Sequence, residues 1–461
     1  MSTPFPFEPF LAFGALGFFI LIGVVLRAKI RFFQNYLIPS CLIGGVIGLV
    51  LINLNLVPIK VEQLETIAYH FFIISFISVG FLFIAEIVAM GNNKTTSDIN
   101  IKGILKGSFW LALMEGLTLP AQAIIGCILF YVFAAFGVKL FPTFGLLIPL
   151  GFTEGPGQAL AFGKVWEEFG FSHAATLGLT FAAVGFLFAF FVGVPLVNWG
   201  VRKTRGIGQI EELPQDLLKG LIPKEQEKEP AGQQTTHSSN IDTLAFHAAL
   251  IGIVYLLTYA FVYLIGKLIN AEAAKALWGF FFFFGMFIAM GVGGIMKKMG
   301  VAHYIDPGIQ RRITGWAIDF LIIATIMAIQ VVVVWQFIIP IVVMSVSAGL
   351  VTIIILVFFG RRLYGNNLER MVFIYGTCTG TVSSGLLLLR IVDPQLKSPV
   401  ALEAGVMNIL VAPIILACMI LVNAFIWWKW EMWLVGLAFA GIMAICLILL
   451  KVLKYWGDPK F

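Results

Sequence analysis

Charged residues are scarce in this chain. Only 12% of its 461 residues are charged, whereas 60% are hydrophobic and the mean hydropathy is +0.98. Soluble domains are about 25% charged and roughly 45–50% apolar, so a water-soluble core of this length could not bury so much Phe, Leu, Ile and Val. The composition therefore excludes an ordinary soluble protein. It predicts an all-α, polytopic membrane protein.

Sequence signatures of catalysis are missing as well. The chain contains no G-x-S-x-G, H-E-x-x-H or Walker loop. Its five cysteines lie in apolar segments without C-x-x-C spacing, and its five histidines are not paired at metal-ligand spacing. These absences predict that the protein is not an enzyme and holds no cofactor or resident metal. An ion gradient, rather than ATP, would have to supply its energy.

The net charge of +6 does not indicate a nucleic-acid partner. Lys and Arg gather in short loops between apolar runs, as in the cytoplasmic loops of membrane proteins, so the predicted partner is the lipid bilayer. The N-terminus lacks the basic start and the cleavage site of a signal peptide. Positive charge instead follows the first apolar run, at Arg27, Lys29 and Arg31. We expect a retained first span with a periplasmic N-terminus.

Long apolar segments predict the membrane spans, each of which needs about 20 mostly apolar residues. Two further stretches, 142–165 and 372–392, are apolar but interrupted by glycine and hydroxyl residues. The basic loops alternate between the two sides only if each of these stretches begins and ends on one side. We therefore interpret them as re-entrant hairpins, the first from the periplasm and the second from the cytoplasm. The predicted spans are 9–27, 37–54, 68–90, 107–138, 174–201, 243–266, 277–296, 314–338, 340–360, 400–424 and 432–453.

A polar segment at 203–241 divides the chain. It is charged and rich in Gly, Pro and Gln, so it cannot bury enough apolar surface to fold alone and is typical of a linker. We expect the linker and the C-terminus to lie in the cytoplasm. The predicted organisation is a first membrane repeat at 1–202, this linker, a second repeat at 242–425, and an extra C-terminal transmembrane helix within 426–461.

The two halves resemble each other around their broken stretches. The segment that starts at Thr153 aligns with the segment that starts at Thr379, so that Lys164 meets Arg390 and an acid follows three residues later in each. Each half has about five spans and one hairpin. Because five is an odd number, the second repeat is inverted relative to the first. Inverted repeats with broken elements are typical of secondary transporters, with the binding site near the midplane.

Three short segments carry a family resemblance. They are Tyr-Leu-Ile-Pro at 36–39 with a glycine pair behind it, Gly-Pro-Gly-Gln-Ala at 155–159, and Gly-Thr-Cys at 376–378. In this order and spacing they resemble the bacterial sodium/glutamate symporter family, of which the chain looks like a divergent member. The resemblance implies symport of sodium, as the coupling ion, with glutamate or a similar small anionic solute across the inner membrane. It also implies an elevator or rocking movement of one helix bundle against the other.

The chain departs from the family pattern within its hairpins. Pro156 and Thr377 stand where the family usually has histidine, and Glu154 replaces a small residue. Ser383 and Ser384 fall in a stretch that is richer in glycine in the family. The carried solute and the choice between sodium and proton coupling therefore stay open. Elevator transporters are often homodimers, but no single sequence feature decides the oligomeric state.

Polar residues inside apolar segments are costly, which makes them candidate site residues. Glu154 could ligate sodium or carry a coupled proton, and Arg390 could bind a carboxylate or anchor at the interface. Asn408 could face the same cavity, whereas Asp319 is a turn or two from a cytoplasmic end. The predicted substrate-binding residues are Gly155, Gly157, Gln158, Thr377, Ser383, Ser384, Arg390 and Asn408. The predicted ion-binding residues are Thr153, Glu154, Thr379, Thr381 and Asp319.

Two other functions stay open on these observations. A proton- or sodium-coupled carrier for another organic anion or amino acid would use Glu154 as its proton carrier. If it were proton-coupled, it would keep its transport at zero sodium and show a steep dependence on pH. A channel or a membrane scaffold is a more distant alternative, and saturable, concentrative uptake would exclude the channel.

Overall fold

The protein is built from helices throughout the part of the chain that the structure describes. The computed structural model describes residues 7–92, 101–205 and 213–460, apart from 227, 229, 364, 366, 395 and 397. The first half contains α1 (Glu8–Lys29), α2 (Arg31–Asn35), α3 (Ser40–Asn53), α4 (Val61–Asn92), α5 (Ile101–Ala135), a 3-10 turn (Pro142–Leu146), α6 (Leu147–Phe152), α7 (Pro156–Glu167), α8 (Ala174–Leu187), a π-helical turn (Phe188–Val192) and α9 (Gly193–Arg205).

The second half continues in the same way. It contains α10 (Gln215–Lys219), α11 (Thr243–Leu268), α12 (Ala271–Leu277), α13 (Phe281–Lys298), α14 (Pro307–Met327), α15 (Val331–Gln336), α16 (Ile338–Gly360), α17 (Asn367–Thr379), α18 (Val382–Val392), α19 (Val400–Leu421), α20 (Ala424–Trp428) and α21 (Met432–Val452), with short 3-10 turns at Trp278–Phe280 and Ala302–Tyr304. Every regular element in the described ranges is helical, which confirms the all-α prediction.

Nine helices in the described ranges are long and apolar enough to cross a membrane, which confirms a multi-pass membrane protein. Two of the predicted spans differ from the helices that form. The span predicted at 37–54 is the 14-residue α3, which is shorter than the roughly 20 residues that a span needs. The span predicted at 314–338 is divided, because α14 ends at Met327 and α15 begins at Val331.

Both interrupted stretches form helical hairpins. In the first, α6 packs against α7 across a turn at 153–155, and in the second α17 packs along α18 across a turn at 380–381. The second hairpin is tight, because a Cβ built on Gly376 would lie 2.7 Å from the Cα of Gly385. The side of the membrane from which each hairpin enters stays a prediction.

The chain divides into two compact units, and each unit draws segments from both halves of the sequence. The first unit consists of Met1–Val25, Ser40–Ile99 and Ile222–Ala328. Within it, α4 packs against α13 and α14, and α3 packs against α14.

The second unit consists of Leu26–Pro39, Asn100–Leu221 and Ile329–Phe461, and it contains both hairpins. Its central helix is α5, which packs against α16, α19 and α21. A long helix, a hairpin and a further long helix follow one another in each half of this unit: α5, α6–α7 and α8–α9, then α16, α17–α18 and α19. A repeat would produce this order, but the repeat boundaries and the inversion stay predictions.

The predicted linker is described only in part, because 206–212, 227 and 229 lie outside the described residues. Its first described segment carries the short helix α10, which Arg27 holds within the second unit. The Arg27 Nη2 donates to the carbonyl of Leu217 at 3.0 Å.

Candidate functional site

The tip of the first hairpin is a turn that only glycine fits well. Gly155 has φ +88° and ψ −177°, a backbone conformation that L side chains rarely adopt. Pro156 follows it as the first residue of α7, where its fixed φ and missing N–H suit a helix start. Thr153 and Glu154 lie just before the glycine, at the end of α6. The sequence thus places hydroxyl and carboxylate groups directly at a break in the helix.

The tip of the second hairpin is a run of hydroxyl residues. Thr377 Oγ1 and Thr379 Oγ1 each donate to a carbonyl one turn earlier in α17, at 3.0 and 2.7 Å. Thr381 precedes α18 in an extended conformation, and its Oγ1 is buried without a hydrogen-bond partner among the described residues. Ser384 is buried in the first turn of α18, whereas Ser383 beside it is exposed.

The two tips lie against each other inside the second unit. A Cβ built on Gly155 would lie 3.3 Å from the carbonyl oxygen of Gly380 and 3.3 Å from Cγ2 of Thr381. The hydroxyl of Thr153 lies 3.3 Å from the carbonyl oxygen of Cys378. The structure therefore brings the predicted residues of the two hairpins into one region.

Gln122, in the middle of α5, joins both tips to the helices around them. Its side chain is fully buried, and its Nε2 donates to Thr352 Oγ1 at 2.9 Å and to the Cys378 carbonyl at 3.1 Å. Its Oε1 accepts from Thr153 Oγ1 at 2.8 Å. Sequence reasoning missed this residue. Its signal is a lone amide within an apolar span, two residues after Pro120.

A second acid accompanies Glu154. Glu115 of α5 is 8% exposed, and its Oε2 is buried without a partner among the described residues. Glu154 also has one buried and unpartnered oxygen, Oε1, whereas its Oε2 accepts from Gln158 Nε2 at 3.2 Å. The two carboxylates are close enough for their charges to interact. Glu115 lies within the span predicted at 107–138 and is not among the predicted site residues.

Pro120 interrupts the backbone hydrogen bonds of α5 next to the acid pair formed by Glu115 and Glu154. A proline inside a helix cannot donate to the carbonyl four residues earlier, which here belongs to Gly116. That carbonyl accepts instead from Cys446 Sγ of α21 at 3.4 Å. The break in the α5 hydrogen-bond pattern therefore lies one residue from Glu115.

Four helix ends converge where the tips meet. α6 and α17 end there, and α7 and α18 begin there. The first N–H groups of a helix and its last carbonyls have no partners within the helix, so a helix start attracts anions and a helix end attracts cations. Gly157 and Gln158 lie in the first turn of α7, so their backbone N–H groups belong to this set.

Three predicted site residues lie elsewhere. Arg390 is exposed in the last turn of α18, and Asn408 is exposed on α19. Asp319 belongs to the first unit, where its carboxyl is in hydrogen-bond contact with the thiol of Cys41. In the described part of the chain, no group of three or more His, Cys, Asp or Glu residues is placed to hold a metal ion.

The chain matches the model of a known protein family. No curated protein and no solved structure matches the chain. The family model described as sodium/glutamate symporter matches residues 12–385, a range that includes both hairpin tips. Residues 12–385 are most of the chain, and the family implies a transporter with sodium as its coupling ion and a small solute as its cargo. The chain therefore belongs to the sodium/glutamate symporter family, a family of sodium-coupled transporters, and it passes through the membrane several times.

Proposed function

We propose that this protein carries sodium together with glutamate or a similar small carboxylate across the bacterial inner membrane. The observation that supports this best is the meeting of the two hairpin tips, with Gly155 beside Gly380 and with Gln122 bonded to both hairpins. Non-helical backbone persists at membrane depth only where it is buried in protein or lines an aqueous cavity. Transporters use such broken helices to bind their substrates and ions.

The helix starts at the tips are the proposed carboxylate site. The backbone N–H groups in the first turns of α7 and α18 attract a carboxylate, and the side chains of Gln158, Ser383 and Ser384 lie in the same turns. Gly155 and Gly157 let the backbone approach the solute closely because they have no side chain. Thr377 borders this region from the last turns of α17.

The sodium site is proposed beside the carboxylate site. Sodium, like other hard cations, takes oxygen ligands, and Glu154, Thr153 and Thr381 supply such oxygens at the tips. Thr379 keeps an acceptor lone pair although its hydroxyl donates to α17. Arg390, Asn408 and Asp319 stay predictions as site residues, since each lies away from the tips.

The orientation in the membrane is part of the proposal. We place the N-terminus in the periplasm and both the linker and the C-terminus in the cytoplasm, as the distribution of Lys and Arg predicts. The first hairpin then enters from the periplasm and the second from the cytoplasm.

Uptake of labelled glutamate into proteoliposomes tests the proposal. The purified protein is reconstituted, and uptake is compared with an inward sodium gradient and with an equal potassium gradient. We expect concentrative uptake only with sodium. Equal uptake under both gradients would contradict sodium coupling. Sodium-dependent uptake of other solutes in a competition panel, without glutamate, would replace the proposed substrate.

A proton-coupled carrier is the second candidate, and Glu154 favours it. Its carboxyl has a buried, unpartnered oxygen at the tip, which is where a proton carrier would be needed. Transport that persists without sodium and depends steeply on pH would select this function over the first.

A further inference from the structure

The acid pair at the tips has no basic partner in the described part of the second unit. Arg370 forms a bidentate ion pair with Glu403, with nitrogen–oxygen distances of 2.7 and 2.6 Å. Lys164 pairs with Glu167 at 3.1 Å, and Arg390 is exposed at the far end of α18. Within the described residues, neither carboxylate of the acid pair interacts with a positive charge.

Among the described residues, the titratable groups that surround the pair on neighbouring helices are thiols. Cys378 of α17 and Cys418 of α19 lie within electrostatic range of both acids. Cys446 of α21 bonds to the carbonyl of Gly116, beside Glu115. The α16 helix contributes Thr352, which is bonded to Gln122 and carries no charge. These groups cannot balance two carboxylates, because they bring no positive charge.

A third side chain near the two acids also has a buried oxygen without a hydrogen-bond partner among the described residues. Glu115 Oε2, Glu154 Oε1 and Thr381 Oγ1 are all buried without hydrogen-bond partners among the described residues. Thr381 lies beside Gly155, the neighbour of Glu154. Glu115 lies within electrostatic range of Glu154. Buried polar atoms are almost always satisfied, so three unpartnered oxygens in this region point to ligands that the oxygens bind. Oxygens of this kind, two of them from carboxylates, suit hard cations.

We propose that the Glu115–Glu154 pair binds two monovalent cations in each transport cycle, with Glu115 as a ligand of the second. One sodium ion balances one carboxylate and leaves the other charged and buried, which is costly unless that charge is paired as well. The inference rests on the proposed sodium coupling and deepens it. The second cation is a sodium ion or a proton, and the experiment distinguishes them.

Counting bound sodium on the purified, full-length protein tests this without any organic solute. The binding of ²²Na⁺ is measured by equilibrium dialysis at several pH values for the wild type and three variants. Glu115→Gln removes the charge at Glu115, and Glu115→Asp keeps it at a shorter reach. Glu168→Gln is the matched control, because it removes an exposed carboxylate at the end of the first hairpin. Size-exclusion profiles show which variants fold.

Two results support the inference. If the second cation is sodium, we expect two bound ions per chain in the wild type and in Glu168→Gln, and one in Glu115→Gln. If it is a proton, we expect one bound sodium per chain, with an affinity that depends on pH in the wild type and not in Glu115→Gln. In both cases Glu115→Asp keeps the wild-type pattern with weaker binding.

Two other results contradict the inference, and they are distinguishable. One bound sodium with the same pH-independent affinity in the wild type and in Glu115→Gln means that Glu115 holds no cation, while sodium coupling survives. No bound sodium in the wild type contradicts the proposed function itself and, with it, this inference.

Discussion

The geometry at the tip of the first hairpin depends on two single residues, Gly155 and Gln122. Gly155 holds a φ of +88° and lies beside Gly380, so a methyl group there meets both strain and a neighbour. Gln122 is bonded to three groups on three different elements, so it fixes the tips relative to α5 and α16. Both residues act through geometry rather than through charge.

Gly155→Ala tests the geometric role of Gly155. We expect a loss of roughly 1–3 kcal/mol of stability from the strained backbone and a loss of sodium-dependent uptake, because the tips can no longer meet. Gly170→Ala is the control, since Gly170 has φ +94° and lies outside the tips, and a Cβ built on it would have no described heavy atom within 4 Å. Equal uptake losses in the two variants, at equal apparent melting temperatures, would contradict the proposed role of the tip.

Gln122→Leu tests the geometric role of Gln122. It removes the three hydrogen bonds of Gln122, although Thr153 can still donate to the Cys378 carbonyl at 3.3 Å. Each buried group that is left unsatisfied, such as Thr352 Oγ1, costs roughly 1–3 kcal/mol. We expect a lower melting temperature and slower uptake than for Gln233→Leu, which changes an exposed glutamine outside the second unit. A melting temperature equal to that of the control would show that the network around Gln122 is not needed.

Arg390→Ala tests a predicted residue that lies away from the tips. If Arg390 binds the solute carboxylate, its removal raises the KM for glutamate by about tenfold or more, since a charge-assisted hydrogen bond contributes roughly 1.5–3 kcal/mol. Folding should change little, because the side chain is exposed. An unchanged KM would make Arg390 an anchor at the membrane interface.

At the scale of elements, an ion pair holds the base of the second hairpin. Arg370, in the first turn of α17, and Glu403, in the first turn of α19, are 7% and 0% exposed and bond through both carboxylate oxygens. Gly107 of α5 packs so closely on Glu403 that any side chain there would collide with its carboxylate. The pair therefore connects three helices at one end of the second unit.

Glu403→Gln should be strongly destabilising, because it leaves Arg370 buried without its countercharge. We expect a loss of roughly 3–5 kcal/mol, measured as a large drop in apparent melting temperature. Glu86→Gln is the matched control, because Glu86 and Arg311 form an exposed ion pair at 3.1 Å, and exposed pairs contribute about 0–1 kcal/mol. Similar drops in both variants would contradict the account of the buried pair.

The elements that the sequence predicted best are those with a clear local signal. Both hairpins follow from glycine and hydroxyl residues at positions such as Gly155 and Thr381, because these residues break apolar helices. The division of the span at 314–338 was not predictable in this way. Residues 328–330 are Ala-Ile-Gln, without glycine or proline, and the chain leaves α14 where the first unit ends.

At the scale of the whole molecule, the composition predicted a multi-pass membrane protein, and the order of short motifs predicted the family. Neither predicted that each compact unit takes segments from both halves, because contacts between distant segments leave no periodic signal in one sequence. For the same reason Gln122 and Glu115 were missed as partners of the hairpin tips, although the tips themselves were predicted. The inverted relation of the two halves stays a prediction.

The central claim is that a sodium gradient drives the accumulation of glutamate or a similar small carboxylate. The most direct test is the accumulation ratio of labelled glutamate in proteoliposomes at a series of inward sodium gradients, with the membrane potential clamped near zero. A tenfold gradient stores about 1.4 kcal/mol per sodium ion, enough for about tenfold accumulation with each ion. We predict that the ratio rises with the gradient and falls to one when the gradient is dissipated. A ratio that stays at one under every sodium gradient would contradict the account.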